Sequence, residues 1–273
     1  MGASRLSAAI LAFCVLALSA SCGGGNAAAP ANGGVSGEVL VFAASSLTDA
    51  LKESGEAFAR EHPGAKVTFS FGASSALATQ INEAARADVF AAADTTQMQA
   101  VADGGRLAGP VRVFATNVPV VVKPKGSNAA RRFEDLARPG LRLVLAGPEV
   151  PIGKYSREVF ERASGPGGVS PDFAARVLAN VRSNEANARA VLAKVQLGEA
   201  DAGVVYRSDA AAAGPAVDVL AVPAAFVVVA TYPIAPLQGG KNAGGAAAFV
   251  DFVLSPEGQA ILAKYGFGQP EQP

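Results

Sequence analysis

The sequence predicts an α/β fold built as two lobes, with mixed, largely parallel sheets flanked by helices. Short apolar strands alternate with helical patterns along the chain, as expected of strand–helix units layered on a sheet. Two apolar segments, residues 111–122 and 217–235, are unusually long for single strands, and each reads as a crossing between lobes. Two crossings make one lobe discontinuous: residues 38–117 join 228–273 in the first lobe, and 118–227 form the second.

The elements follow in order. EVLVFA (38–43) is a strand, and Ser45, Ser46, Leu47, Thr48 and Asp49 open a helix that carries Leu47, Leu51 and Phe58 on one face. Pro63 and Gly64 break the chain before a second strand at 66–71. A second helix starts at Ser74 and Ser75 and turns Leu77 and Ile81 inward. Residues 87–94 form a third strand, followed by a helix through Met98 and Val101. The first crossing is interrupted at Asn117 and Pro119. Beyond it come a strand at 141–146, a helix near 153–163, a helix after Pro171, another near 187–197 and a strand at 201–206. After the return crossing, helices at 246–254 and 256–264 are expected to pack on the first lobe. No repeat of fixed period is seen.

Residues 1–21 read as a signal peptide, outside the fold. Arg5 precedes an apolar run at 8–18, and small residues then lead to Cys22. The run is too short to cross a bilayer as a helix. Ser19, Ala20, Ser21, Cys22 and Gly23 have the form of a lipobox, in which Cys22 is lipidated and becomes the mature N-terminus. Ser19 stands where that pattern usually has leucine, and plain secretion with a free Cys22 is the alternative. Cys14 leaves with the signal, so the mature chain has no disulfide and no cysteine-based metal site. Residues 22–37 are rich in Gly, Ala, Asn and Pro, a flexible tether from lipid to domain. The expected location is exported and lipid-anchored, at the outer face of the cell membrane or in the periplasm.

Composition removes several function classes. Basic and acidic residues balance at 23 each, so no net field points to nucleic acid. The single histidine, His62, sits in a turn-like Glu61-His62-Pro63-Gly64 and reads as a solvated helix-end residue. A Ser-His-Asp triad would have to use it, and no Gly-x-Ser-x-Gly elbow is present. No His/Cys cluster, phosphate-binding loop or dinucleotide fingerprint appears, so neither a resident metal nor a cofactor is expected.

A repeated turn stands out instead. A strand, then small hydroxyl residues, then a helix occurs at Ala44-Ser45-Ser46-Leu47 and again at Gly72-Ala73-Ser74-Ser75. Helix N-termini present unpaired N–H groups and a partial positive charge, and serine hydroxyls add donors without charge. One such turn is ordinarily just an N-cap. Two on adjacent parallel strands would face one crevice beyond the strand ends.

At these residues the chain resembles the periplasmic molybdate-binding proteins of ABC importers, from about residue 39 to 268. The strings that carry the likeness are FAASSLT (42–48), SFGASSAL (70–77), ADVF (87–90), VPIGKY (150–155), GVVYRSDA (203–210) and KYGF (264–267). The resemblance implies a two-lobed periplasmic-binding-protein fold with the oxyanion in the cleft between lobes. It also implies the ligands: the hydroxyls of Ser46, Ser74 and Tyr206 and the backbone N–H groups of Ile152 and Ala188. Ser45 and Ser75 flank the site and could stand in for their neighbours. Ile152 and Ala188 replace a small Ala and a Val expected there, a tolerable change where the main chain binds. Molybdate or tungstate would be the ligand, an ABC permease the protein partner, and a monomer the expected state.

An all-neutral donor set suits a dianion, since charge-assisted hydrogen bonds contribute roughly 1.5–3 kcal/mol each. Lys123, Lys125, Lys154 and Arg207 are read as solvated surface charges. The alternatives are a cleft for sulfate, phosphate or another oxyanion, and an extracytoplasmic hydrolase using one of the paired serines. A phosphate site would want an acceptor carboxylate, and Asp49 and Asp94, the nearest, fall outside the ligand set.

Overall fold

The computed structural model describes residues 35–270; the signal segment, Cys22 and most of the tether lie outside the described residues. The chain begins with β1 (Ser36–Ala44), a 3-10 turn (Ser45–Leu47), α1 (Thr48–Glu61), β2 (Gly64–Gly72) and α2 (Ser74–Asn82). Next come β3 (Val89–Ala91), α3 (Thr95–Asp103), β4 (Arg112–Asn117), β5 (Pro119–Pro124), β6 (Leu143–Ala146) and α4 (Pro151–Ser164). They are followed by α5 (Phe173–Ala179), β7 (Val181–Glu185), α6 (Ala188–Gln196), β8 (Ala202–Tyr206) and α7 (Arg207–Ala213). The chain closes with β9 (Val217–Leu220), β10 (Ala230–Pro236), α8 (Ala243–Leu254) and α9 (Pro256–Lys264).

These strands form two five-stranded sheets, ordered β2-β1-β3-β10-β4 and β7-β6-β8-β5-β9. The fold is α/β and two-lobed, and each sheet is mixed, with four of its five strands sharing one direction. In each, three strands run parallel and the remaining two pairings are antiparallel. The reversed strands are β5 and β10, which follow the two apolar crossings. Pro119, the first residue of β5, lies opposite Tyr206, the last of β8. A strand that enters a sheet at the end where its parallel neighbours leave must run against them. Asn117 closes a strand of one sheet and Pro119 opens a strand of the other.

Three elements differ from the sequence reading. β3 is three residues long, because Ala92 and Ala93 leave the ladder toward the Asp94 N-cap of α3. β7, an edge strand of sequence VRSNE, has no apolar run to betray it; neighbouring pairings alone define it. α7 begins directly at the end of β8, inside a string read only as strand and motif.

Each sheet is closed by its own aromatic cluster. Phe58 meets Phe249 and Phe252 edge-on at 5.4 and 5.7 Å, with Phe69 beside Phe249. Phe133 packs on Phe160, Phe173 and Phe226. α8 lies on β1 and β10 and α9 on α1, so the C-terminal helices cover the first sheet. His62 is not simply solvated: its ring lies 4.5 Å from that of Phe58 and its side chain is 24% exposed. Among the described residues, no single helix is long and apolar enough to cross a membrane.

Candidate functional site

The carboxyl ends of the parallel strands of both sheets meet at one small cavity. From the first sheet it is lined by Ala44, Ser45 and Ser46, by Gly72, Ala73 and Ser74, and by Ala93; from the second by Val150 to Ile152, Asn187, Ala188 and Tyr206. Its volume is about 10 Å³, measured by the centre of a water-sized sphere. That is the space of about one water and leaves none for a sugar or peptide. A larger open hollow of about 440 Å³, bordered by Glu38, Arg86 and Asn242, lies at the opposite end of the first sheet. Its buried carboxylate, Asp88, is already satisfied by the backbone N–H groups of Leu40 and Asn242, each at 2.8 Å.

Four helix N-termini converge on the cavity: the 3-10 turn leading into α1, then α2, α4 and α6. The first three have no side-chain cap. Ser46 and Ser74 are therefore not N-caps, and their hydroxyls are free for other work. Pro151 at the first position of α4 has no N–H, so Ile152 presents the first amide of that helix. In α6 the Asn187 cap takes the N–H of Ala190 and leaves that of Ala188 to the cavity. Gly153 permits this placement, because a Cβ there would lie 1.9 Å from the carbonyl oxygen of Gly147. Each amide carries part of the helix dipole, so the cavity is positive without holding a cation.

All five residues proposed from the sequence as ligands line this cavity, and Ser45 does too. Ser75 does not: one residue along α2 turns a side chain about 100° away. Ser74 Oγ accepts the N–H of Ala93 at 2.9 Å in a buried bond. Ser46 Oγ shares a buried 2.9 Å hydrogen bond with Tyr232 Oη. Tyr206 is buried, and its hydroxyl has no hydrogen-bond partner. Burial pushes the phenols of Tyr206 and Tyr232 well above their ordinary range, so both stay protonated.

The four cations considered from the sequence are engaged outside the cavity. Lys154, exposed, donates to Thr96 Oγ1 at 3.1 Å; Arg207 donates to the carbonyl of Gly266 at 2.9 Å. Lys125 pairs with Asp218 at 2.7 Å. Lys123 is not solvated, since its ammonium is largely covered and donates to the carbonyl of Ser127. Sequence reasoning missed Arg189, the residue after Ala188. It hydrogen-bonds Asp49 at the start of α1 and lies 2.8 Å from the buried Asp209, though off-line for a hydrogen bond there. Burial pushes the Asp209 carboxyl up to about 6, against the pull of Arg189. Tyr232 was also missed, hidden in the apolar return crossing. Its buried phenol, which needs a partner, was the available signal.

Residues 39–268 match the family described as bacterial extracellular solute-binding protein. The chain is 40% identical over 268 residues to a molybdate-binding protein of Mycobacterium tuberculosis (strain H37Rv), covering 97% of this chain and 98% of that one. Solved structures share the fold. The sulfate-binding protein SubI of M. tuberculosis superposes with a TM-score of 0.78 at 19% identity, over 86% of this chain and 87% of that one. The periplasmic molybdate-binding protein of Azotobacter vinelandii gives 0.74 at 20% identity, over 85% and 100%.

Proposed function

This chain belongs to the bacterial extracellular solute-binding protein family, and we propose that it captures molybdate, and tungstate with it, for delivery to an ABC importer. One observation carries the reading: uncapped helix N-termini and three neutral hydroxyls converge on one small cavity, with no cation among its lining residues. Fully deprotonated oxyanions accept hydrogen bonds at every oxygen and offer none, which suits a site made of donors alone. The proposed donors are the hydroxyls of Ser46, Ser74 and Tyr206 and the N–H groups of Ile152 and Ala188, with Ser45 in reserve. The 40% identity to a molybdate-binding relative favours molybdate within the oxyanions.

The fold alone would suit sulfate as well, since a sulfate-binding protein is a close structural neighbour. Calorimetric titration with molybdate, tungstate, sulfate and phosphate separates these readings. Molybdate and tungstate should bind alike and sulfate at least about tenfold weaker, a gap of roughly 1.4 kcal/mol. Sulfate binding as tight as molybdate overturns the assignment.

The rest of the reading goes with this one. The first lobe comprises residues 38–117 and 228–273, the second 118–227, and the protein works as a monomer. It is exported and held by lipid on Cys22. No catalytic step is assigned: His62, the one histidine, packs on Phe58 at the end of α1 and does not line the cavity, so the serines there have no imidazole base.

A further inference from the structure

Two serine hydroxyls face the cavity, and each oxygen is held from behind. For Ser74 the partner is the backbone N–H of Ala93. An amide N–H can only donate, so it occupies a lone pair of Ser74 Oγ and leaves the serine proton for the cavity. Ser46 has no such amide. Its partner is Tyr232 Oη, 2.9 Å away in a fully buried bond. Either hydroxyl could be the donor, and the choice decides what Ser46 offers to a ligand. If Ser46 donated to Tyr232, its oxygen would turn a lone pair toward the anion and repel it.

A deprotonated oxyanion in the cavity accepts the Ser46 proton and has none to give, which leaves donation to Tyr232. Its ring is wholly buried in β10, held edge-on by Phe114, Tyr206 and Phe267 at centroid distances of 6.3, 5.6 and 5.5 Å. Packed on these sides, the ring has little freedom to turn and keeps its hydroxyl oxygen 2.9 Å from Ser46 Oγ. It is not among the residues lining the cavity, so it acts on a ligand only through its neighbour. Burial also keeps the phenol protonated.

We propose that Tyr232 is a positioning residue of the anion site: its hydroxyl donates to Ser46 Oγ and so commits the Ser46 proton to the bound oxyanion, as the Ala93 amide does for Ser74. The inference rests on the reading of the cavity as an oxyanion site. It also has a consequence for selection. With both serines backed by donors, each turns its proton toward the ligand more readily than a lone pair. Hydrogen phosphate, which carries a proton near neutral pH, then finds an acceptor for it less readily. Without Tyr232, Ser46 can rotate and accept that proton.

Calorimetric titration of four proteins tests this: the wild type, Tyr232→Phe, Ser46→Ala and the double variant, with molybdate and with inorganic phosphate. Tyr232→Phe keeps the ring and removes one oxygen, and melting curves of the ligand-free proteins verify that each is folded. Tyr232→Phe is expected to weaken molybdate binding about five- to tenfold in the wild-type background and not at all on Ser46→Ala. It is also expected to narrow the ratio of molybdate to phosphate affinity. An equal loss in both backgrounds would make Tyr232 a general packing residue, and no loss in either would remove it from the site; each outcome overturns the inference while leaving the cavity assignment intact. Absence of molybdate binding by the wild type overturns the cavity assignment and this inference together.

Discussion

Ser74 illustrates how one side chain serves stability and binding at once. Its oxygen satisfies the buried N–H of Ala93, and its proton is left for the cavity. Ser74→Ala is therefore expected to cost twice. The ligand-free protein should lose about 1–3 kcal/mol because a buried donor is left unpaired. Molybdate affinity should fall by a further roughly 1.5–3 kcal/mol, for the charge-assisted bond. Tyr206→Phe should lose a similar amount of affinity with almost no loss of stability, because the Tyr206 hydroxyl has no partner in the ligand-free protein. Denaturant melts with paired titrations check both. Lys154→Ala and Arg207→Ala, which remove exposed charges, should each change affinity by no more than about 0.5 kcal/mol.

Asp209 sets a pH dependence of the opposite sign to most carboxylates. Its folded-state pKa is raised from 3.8 to about 6 by burial. Between these values the folded protein holds a proton that the unfolded chain has released, so this group's contribution to stability falls as pH rises from about 4 to 6 and is flat above. Asp209→Asn keeps an acceptor for the N–H of Tyr206 and removes the titration. The stability of the wild type minus that of the variant should fall by on the order of 2–3 kcal/mol across that window. A difference that is flat, or that rises with pH, would contradict the assignment.

At the scale of elements, the site is a property of helix starts. α4 can begin where it does because Gly153 lets its first turn press on the carbonyls of Ala146 and Gly147 at the end of β6. A methyl group at Gly153 would collide with backbone, which cannot swing aside as a side chain can. Gly153→Ala should therefore displace the start of α4, at a cost of about 1–3 kcal/mol in stability. The Ile152 amide should move with it, and molybdate affinity should drop about tenfold or more. Titration and thermal melts give the two numbers separately. A variant that is destabilised but binds normally would show that the α4 amide is no ligand.

For the whole molecule, the question is what holds the two lobes over the cavity. The contacts that join them include Arg189 with Asp49, Lys154 with Thr96 and Arg207 with the carbonyl of Gly266, together with the buried Asn117–Ser208 hydrogen bond and the Tyr206–Tyr232 ring contact. The partly exposed pairs among them contribute about 0–1 kcal/mol each. Charge-assisted bonds to a shared dianion contribute roughly 1.5–3 kcal/mol each, and they form only when both donor sets meet. A bound dianion is therefore expected to favour closure. Small-angle scattering should show a smaller radius of gyration with molybdate than without it, and superimposable profiles would mean that the lobes do not open.

The sequence by itself determined the α/β class, the paired serine turns and the places where the chain passes between sheets. These are local features: apolar period, serine before a helix, proline and asparagine interrupting an apolar run. Ile152, Ala188 and Tyr206 entered only through the family resemblance. Tertiary structure alone decided the rest. β7 has no apolar pattern, and pairing with β6 defines it. The reversed direction of β5 and β10 follows from where the crossings re-enter each sheet, which periodicity cannot report. Ser46 lies 186 positions from Tyr232, and Asp49 lies 140 from Arg189. No local signal links such partners, because a hydrogen bond depends on distance and direction in space, and the packing of the two lobes supplies both.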